Sequence, residues 1–395
     1  MSSVPIPQDL TARKGRFSRF LGAVPDRLHF AAHSHHPWPD VSFDAQQRAW
    51  LDAAELMDTK WERIFGEVVP AAQEHVARIL GLPDPGTVAF APNTHELVKR
   101  VFSSLEATRP IRVLTTDSEF HAFERQSRRW EETGYATVER IPTEPFATFA
   151  ERFAQAARSG MHDLVYVSHV FFNSGYVFEE LDSVLAEVPD PTWVIVDGYH
   201  AFCALPVDLA RWADRIFYMA GGYKYAMSGE GVCFAHCPPG WGERPVDTGW
   251  FAGFAVMEET VTGVPYPKDA QRFLGSTLDA TGLYRFRAVQ DLWLREGFTP
   301  AHAHRYAADL QAEFLNRLDE IDLPELSPEH LVPARGDTAR GSFLTYRTAA
   351  AGDLHAQLAE RNVIVDRRGD RIRFGFGIYQ DRADVAELVR RLDAL

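Results

Sequence analysis

Thiols are scarce in this chain: 395 residues contain only Cys203, Cys233 and Cys237. Three cysteines give no disulfide framework and suit a reducing compartment. Cys233 and Cys237, with Phe-Ala-His between them, read as a turn carrying half of a zinc site; no second pair completes it, so no metal is expected. No apolar run approaches the roughly 20 residues of a membrane span. Met1–Asp26 is polar, broken by prolines and without the apolar centre of a secretion signal. Internal repeats and low-complexity tracts are missing. Basic residues are outnumbered, 41 Lys and Arg against 55 Asp and Glu, a formal charge of −14 with no basic stripe. That balance argues against nucleic acid and anionic membranes as main partners. A cytoplasmic location is the expectation.

What is present is a globular composition, 46% hydrophobic and 12% aromatic. The chain is long for one core, so two domains are expected. From Asp44 to Leu80 the pattern is helical until Gly81 and Pro83 stop it. Short apolar runs then alternate with amphipathic stretches. Strands are read at Thr87–Phe90, Ile111–Thr115, Leu164–Ser168, Trp193–Val196, Arg215–Met219 and Val232–Ala235. Helices are read at Thr94–Leu105, Ala122–Glu132 and Phe149–Ala157. This alternation predicts crossover units, hence an α/β fold with a mostly parallel sheet and helices on both faces. After an irregular segment, Pro238–Gln271, come two strong helical patterns, Leu278–Glu296 and Ala301–Leu318. The tail reads strand, helix, two strands and helix, a smaller α+β domain. The expected division is an N-terminal arm over 1–50, a large domain over 51–296 and a small domain over 297–395.

Two segments carry chemistry. In Trp193-Val-Ile-Val-Asp197-Gly-Tyr-His200 a β-branched run delivers a carboxylate to the end of a buried parallel strand, where open α/β sheets bind ligands. Taken alone, Asp197 reads equally as a helix cap or turn residue. In Phe217-Tyr-Met-Ala-Gly221-Gly-Tyr223-Lys224 a second strand runs into glycines and one lysine. Desolvation there lowers the amine pKa, although a surface loop lysine is the commoner case. The pair is far more specific than either member. A strand-end Asp with His three residues later, then a strand-end Lys after an aromatic, matches the cofactor geometry of fold-type-I pyridoxal-phosphate enzymes.

On these residues the chain resembles aminotransferase class V, and within it kynureninase. Gly249-Trp250-Phe251 is similar to the family's Gly-Trp-aromatic loop, Phe273–Thr277 to the segment that follows it, Arg340–Thr345 to the start of the small domain, and Arg371-Ile-Arg373-Phe374 to an Ile-Arg-Val strand. The resemblance runs from about His29 to the C-terminus and is most specific around the lysine. It implies pyridoxal 5'-phosphate as cofactor, with Lys224 carrying it as a Schiff base, Asp197 facing the pyridine nitrogen and His200 near the ring hydroxyl. It implies Thr94 and the amide of His95 at the phosphate, with Thr94 also reading as a helix N-cap. Phe120 would lie against the ring face, with His121 as its alternative. Phe172-Asn173-Ser174-Gly175 would lie near the ring. Arg373 would clamp the substrate carboxylate in a two-pronged fork, while Arg371 is expected on the opposite, surface side. Ser276 and Thr277 would lie near phosphate or substrate. A homodimer is implied, each pocket completed by its neighbour through Trp250 and Thr277.

The chain departs from the family at Ala32-His33-Ser34-His35-His36-Pro37-Trp38, where kynureninases carry Gly-Asn-Ser-Leu-Gly. Ser34 fits that pattern, and the histidines do not. This segment lines the substrate side in the family, so Ser34 and His35 are read as substrate-binding and the substrate is left open; a surface histidine cluster is the bland alternative. The leading expectation is a kynureninase-like hydrolysis of a carbon–carbon bond next to a γ-carbonyl, with Lys224 moving the Cα proton and Tyr223 serving the phosphate or donating a proton. Alternatives are a class V aminotransferase, epimerase or lyase on another amino acid, and a non-catalytic binding protein. A cysteine desulfurase needs a late cysteine nucleophile, and no cysteine follows Cys237.

Overall fold

A computed structural model describes residues 11–106, 109–256, 262–336 and 339–395. The first ten residues of the polar N-terminal stretch lie outside them. Seven strands form the large sheet: β1 (Val88–Ala91), β2 (Ile111–Thr116), β3 (Ala136–Ile141), β4 (Leu164–Ser168), β5 (Trp193–Asp197), β6 (Phe217–Gly221) and β7 (Cys233–His236). Their order is β1-β7-β6-β5-β4-β2-β3. Every adjacent pair is parallel except those made by β7, which runs antiparallel to both β6 and β1. The Phe-Ala-His read as a turn is therefore inside a strand; its residues are all buried, which suits an inner strand better than a bend.

Alternate residues of these strands enter two separate cores, because side chains on a strand point to opposite faces. Val165, Val167, Val194 and Val196 join one core with Val76, Phe149, Phe153 and Phe286. Leu164, Tyr166, Ile195 and Phe217 join the other with Leu97, Val101 and Phe123. Helices thus cover both faces, as expected for strands that are apolar throughout. α1 (Val41–Leu56) packs on α3 (Thr281–Arg295), and α2 (Thr94–Ser103) follows β1.

The small domain contains α4 (Pro300–Leu318) and an antiparallel sheet of β8 (Leu331–Val332), β9 (Phe343–Arg347), β10 (Asp366–Arg368) and β11 (Arg371–Gly375), in the order β10-β11-β9-β8. Leu28–His29 pairs in parallel with Val363–Ile364, and Phe30 exchanges backbone hydrogen bonds with Ile364 and Gly375. The segment entering the His33–His36 turn is therefore strapped to the small domain.

The helix expected over Asp44–Leu80 is interrupted. Met57 has φ 49°, after which a 3₁₀ turn, a short α segment and a π-helical turn at Ile64–Val68 lead into the helix Val69–Leu80. Gly81, at φ 68°, caps that helix in the left-handed region that glycine adopts without cost. β3 escaped the sequence reading because it is an edge strand with only Ala136 fully buried.

Candidate active site

The carboxyl ends of β4 and β5 and the turn after β6 open on one cavity of about 280 Å³. Its wall includes Asn93, Thr94, His95, Phe120, Ser168, Phe172, Asp197, His200, Tyr223 and Lys224. The amine and the carboxylate on which the sequence reading depended thus share one cavity.

Asp197 ends β5, and chain direction after it is set by Gly198. A Cβ there would lie 1.9 Å from Tyr218 Cζ, so only glycine lets the backbone pass this ring. Asp197 accepts hydrogen bonds from the Tyr199 amide to Oδ1 at 2.9 Å and from Tyr166 Oη to Oδ2 at 2.9 Å. Burial raises its pKa, opposed by these donors and by the Lys224 charge. Tyr166 reaches Asp197 because both project on the same face of neighbouring parallel strands.

Lys224 is 4% exposed. Burial, opposed by Asp197 and assisted by Arg373, brings its amine down to about 7. Nζ lies 2.7 Å from His200 Nε2, and burial together with the lysine charge holds His200 well below the usual imidazole range. The amine also faces the rings of Tyr199 (4.7 Å to centroid), Phe120 (5.4 Å) and Tyr223 (5.7 Å). Burial raises the Tyr223 hydroxyl, keeping it protonated. Phe120, rather than His121, lines the cavity.

At the opposite side of the cavity α2 begins. Its N-cap is Asn93, whose Oδ1 accepts the Glu96 amide at 2.9 Å. This corrects the reading of Thr94 as the cap; Asn in an extended backbone conformation performs that role and Thr94 becomes the first helical residue. The Thr94 amide approaches the Cys233 sulfur, which also contacts Tyr199 Oη at 3.2 Å. Thr94 and His95 both line the cavity, at the positive end of a ten-residue helix.

The remaining sequence-predicted residues are more dispersed. Arg373 is buried and joins Asp366 and the Phe172 carbonyl through Nη2 and Nη1; burial lowers it to about 9. Arg371 donates to the Asn173 carbonyl at 2.9 Å. Both arginines thus reach the 172–173 segment, which overturns the expectation of opposite faces: residues two apart on a strand share one face. His35 is exposed, its ring 5.3 Å from that of Tyr223 and Nε2 3.8 Å from Glu230 Oε1; Ser34 Oγ lies 3.3 Å from His35 Nδ1. His33 and His36 are buried instead, His33 stacked 4.4 Å from the Phe343 ring and His36 bonded through Nδ1 to the Pro37 carbonyl. The bland surface-cluster alternative therefore fails for two of the three histidines. Trp250 Nε1 donates to Thr277 Oγ1 at 3.1 Å. That pair and Ser276 are exposed and outside the cavity wall.

Sequence reasoning missed Tyr166, Ser168 and Glu119. Glu119 is 3% exposed. Its Oε1 accepts from Thr116 Oγ1 at 2.8 Å and from the Ser168 amide at 3.2 Å, and Oε2 lies 2.5 Å from Ser168 Oγ. Burial, with Asp197 nearby, raises its carboxyl to about 8 against these donors. The available signal was a polar residue, Ser168, closing an otherwise apolar strand.

Residues 307–392 match the family model described as the kynureninase C-terminal domain. The chain is 30% identical over 208 residues to a kynureninase from Deinococcus radiodurans, an alignment covering 50% of this chain and 48% of that protein. It therefore spans about half the length of that curated relative. In three dimensions it is similar to a cystine C–S lyase solved with cysteine persulfide, with TM-score 0.80 and 18% identity over 94% of this chain and 99% of the other. It is also similar to a cysteine desulfurase from Thermococcus onnurineus NA1, with TM-score 0.78 and 17% identity over 100% and 99% of the two chains. A cysteine desulfurase of Escherichia coli matches at TM-score 0.79 and 15% identity, over 98% of each. A variant of the lyase was solved with glycine linked covalently to its pyridoxal-phosphate cofactor. The structural likenesses bear out the expected fold, and the sequence matches bear out the resemblance to kynureninase.

Proposed function

We propose that this chain, a relative of kynureninase by sequence with the fold of these lyase and desulfurase structures, is a pyridoxal-phosphate enzyme of class V acting on an amino acid. Its reaction is the kynureninase-like hydrolysis of a carbon–carbon bond next to a γ-carbonyl. The observation that carries this reading is the convergence of Lys224 and Asp197 on one cavity.

The residues fit the cofactor. Lys224 offers a poorly solvated amine, Asp197 a carboxylate for the ring nitrogen, and Phe120 an aromatic surface. Thr94 and the His95 amide offer donors to the phosphate. His200 Nδ1 is buried without a hydrogen-bond partner among the described residues, a polar atom left for a bound group. Bound there, the cofactor supplies an electron sink for carbanion density at the substrate Cα.

The chain's own residues supply the rest. Lys224, with its pKa lowered to about 7, is poised to take and return a proton near neutrality. His200, uncharged, holds Nζ in place without competing for that proton. Asp197, whose anion is favoured by two donors and by the Lys224 charge against the effect of burial, would face the cofactor's ring nitrogen and favour its protonated form. The protonated Tyr223 hydroxyl is a proton donor beside the lysine. Arg373 receives the substrate carboxylate by exchanging it for Asp366 or the Phe172 carbonyl. Ser34 and His35 meet the substrate at the entrance, beside Tyr223 and Glu230, and Ser276 adds a hydroxyl from the neighbouring subunit. The working unit is a homodimer in which Trp250 and Thr277 serve the other protomer's cavity.

A second reading, a class V aminotransferase, epimerase or lyase on a different amino acid, draws support from the C–S lyase likeness in fold. Desulfurase chemistry is disfavoured: no cysteine follows Cys237, and Cys233 in the cavity wall is a buried thiol raised to about 11. The test is to load the protein with pyridoxal phosphate and supply kynurenine or hydroxykynurenine. Release of alanine and an anthranilate supports the hydrolase; amino-group exchange with a keto acid selects the second reading. A coloured, borohydride-reducible protein that turns over no amino acid would leave only a binding function.

A further inference from the structure

Glu119 has no role in the chemistry above, yet it is fully enclosed at the end of the two strands that frame the cavity. It lies after β2, and its carboxyl bridges Thr116 on β2 to Ser168 on β4. Ser168 is the register partner of Asp197 on β5, so the buried Glu119 carboxyl and the half-buried Asp197 carboxyl occupy adjoining positions. Glu119 has no ion-pair partner among the described residues. The titratable groups that face it are Asp197, whose charge opposes one on Glu119, and Tyr166, whose hydroxyl stays neutral. Asp197, by contrast, has the Lys224 charge in its favour. Two like charges at such a site do not both persist, and the proton goes to the member without a cation.

Hydrogen-bond bookkeeping then fixes where the proton resides. Oε1 already accepts from the Thr116 hydroxyl and the Ser168 amide, which makes it the carbonyl-type oxygen. Oε2 has one partner, Ser168 Oγ. We propose that Glu119 is a neutral acid that donates from Oε2 to Ser168 Oγ, which makes the Ser168 hydroxyl a hydrogen-bond donor facing the cavity beside Asp197. Were Glu119 ionised, Ser168 would have to spend its only proton on Oε2. Ser168 Oγ has no other protein acceptor among the described residues and lines the cavity, so its freed O–H is available to an acceptor on the bound ligand. Glu119 is a positioning residue, acting through Ser168. This refines the cofactor reading above, on which the identity of the ligand acceptor rests.

Infrared difference spectroscopy between the wild-type holoprotein and Glu119→Gln tests the proton directly. A protonated-carboxyl carbonyl band is expected at pH 7, absent in the variant, and lost in wild type as pH rises past about 8. A carboxylate signature at pH 7 overturns the proposal. Visible absorbance of the bound cofactor tests the donor. Glu119→Gln, whose amide N–H replaces the acid O–H, is expected to keep the wild-type absorption maximum, and Ser168→Ala to shift it. An equal shift in both variants, or none in Ser168→Ala, overturns the role given to Ser168. If the wild-type protein takes up no pyridoxal phosphate, the cofactor reading fails by itself, while the infrared result still decides the state of Glu119.

Discussion

The Lys224 amine is useful because the chain surrounds it with rings and withholds water. Its pKa is lowered, so the neutral, nucleophilic form predominates above about pH 7 and is lost below it. Capture of the pyridoxal-phosphate aldehyde by the cofactor-free protein should therefore slow about tenfold per pH unit below that point and level off above it, and stopped-flow absorbance can follow it. Lys224→Ala should remove the borohydride-reducible linkage at every pH. Gly198→Ala should cost roughly 1–3 kcal/mol, seen in denaturant melts, because the new methyl meets the buried Tyr218 ring. Asp197, His200 and Lys224 were legible in the sequence because each lies at or just past the end of a recognisable strand with glycine close by. Glu119, Tyr166 and Ser168 were not legible as a group. Tyr166 and Ser168 share β4 while Glu119 follows β2, and only the strand order β5-β4-β2 brings them together beside Asp197.

At the level of elements, the strand ends that frame the site are secured on their far side. Asp163, just before β4, binds Arg109 through both oxygens at 2.7 Å and the Arg112 amide on β2 at 2.8 Å. These donors hold its carboxyl well below the usual carboxylate range. A depressed folded-state pKa gives stability that is fully present above the unfolded value of about 3.9 and lost as pH falls through the folded value. Asp163→Asn should thus destabilise by about 1–2 kcal/mol at neutral pH, modest because Arg109 is half exposed. The difference should shrink in thermal melts taken in increasingly acid buffer. Six of the seven large-sheet strands were readable from apolar runs, since strands buried on both faces are apolar at every position. β3 was not, because an edge strand needs to be apolar on one side only. The break at Met57 had no glycine or proline to announce it.

For the whole molecule, the exposed aromatic surface bears on assembly. Trp250 is 49% exposed and Phe254 45%, side by side at a ring separation of 5.5 Å. Aromatic residues grouped this way mark association surfaces. In the proposed homodimer, Trp250→Glu should shift the equilibrium toward monomer in light scattering. It should also weaken cofactor retention at fixed protein concentration, as the proposed service of Trp250 to the neighbouring cavity requires.

One connection also governs when the site can come into being. The chain leading into His33–His36, which touches Tyr223 through the His36 amide, is held in register by Val363–Ile364 and Gly375. On the ribosome this segment beside Tyr223 must therefore wait for strands made far later before it has anything to zip onto. A nascent chain arrested before residue 363 would carry the lysine and the aspartate but lack the partner strand that holds the His33–His36 segment against Tyr223.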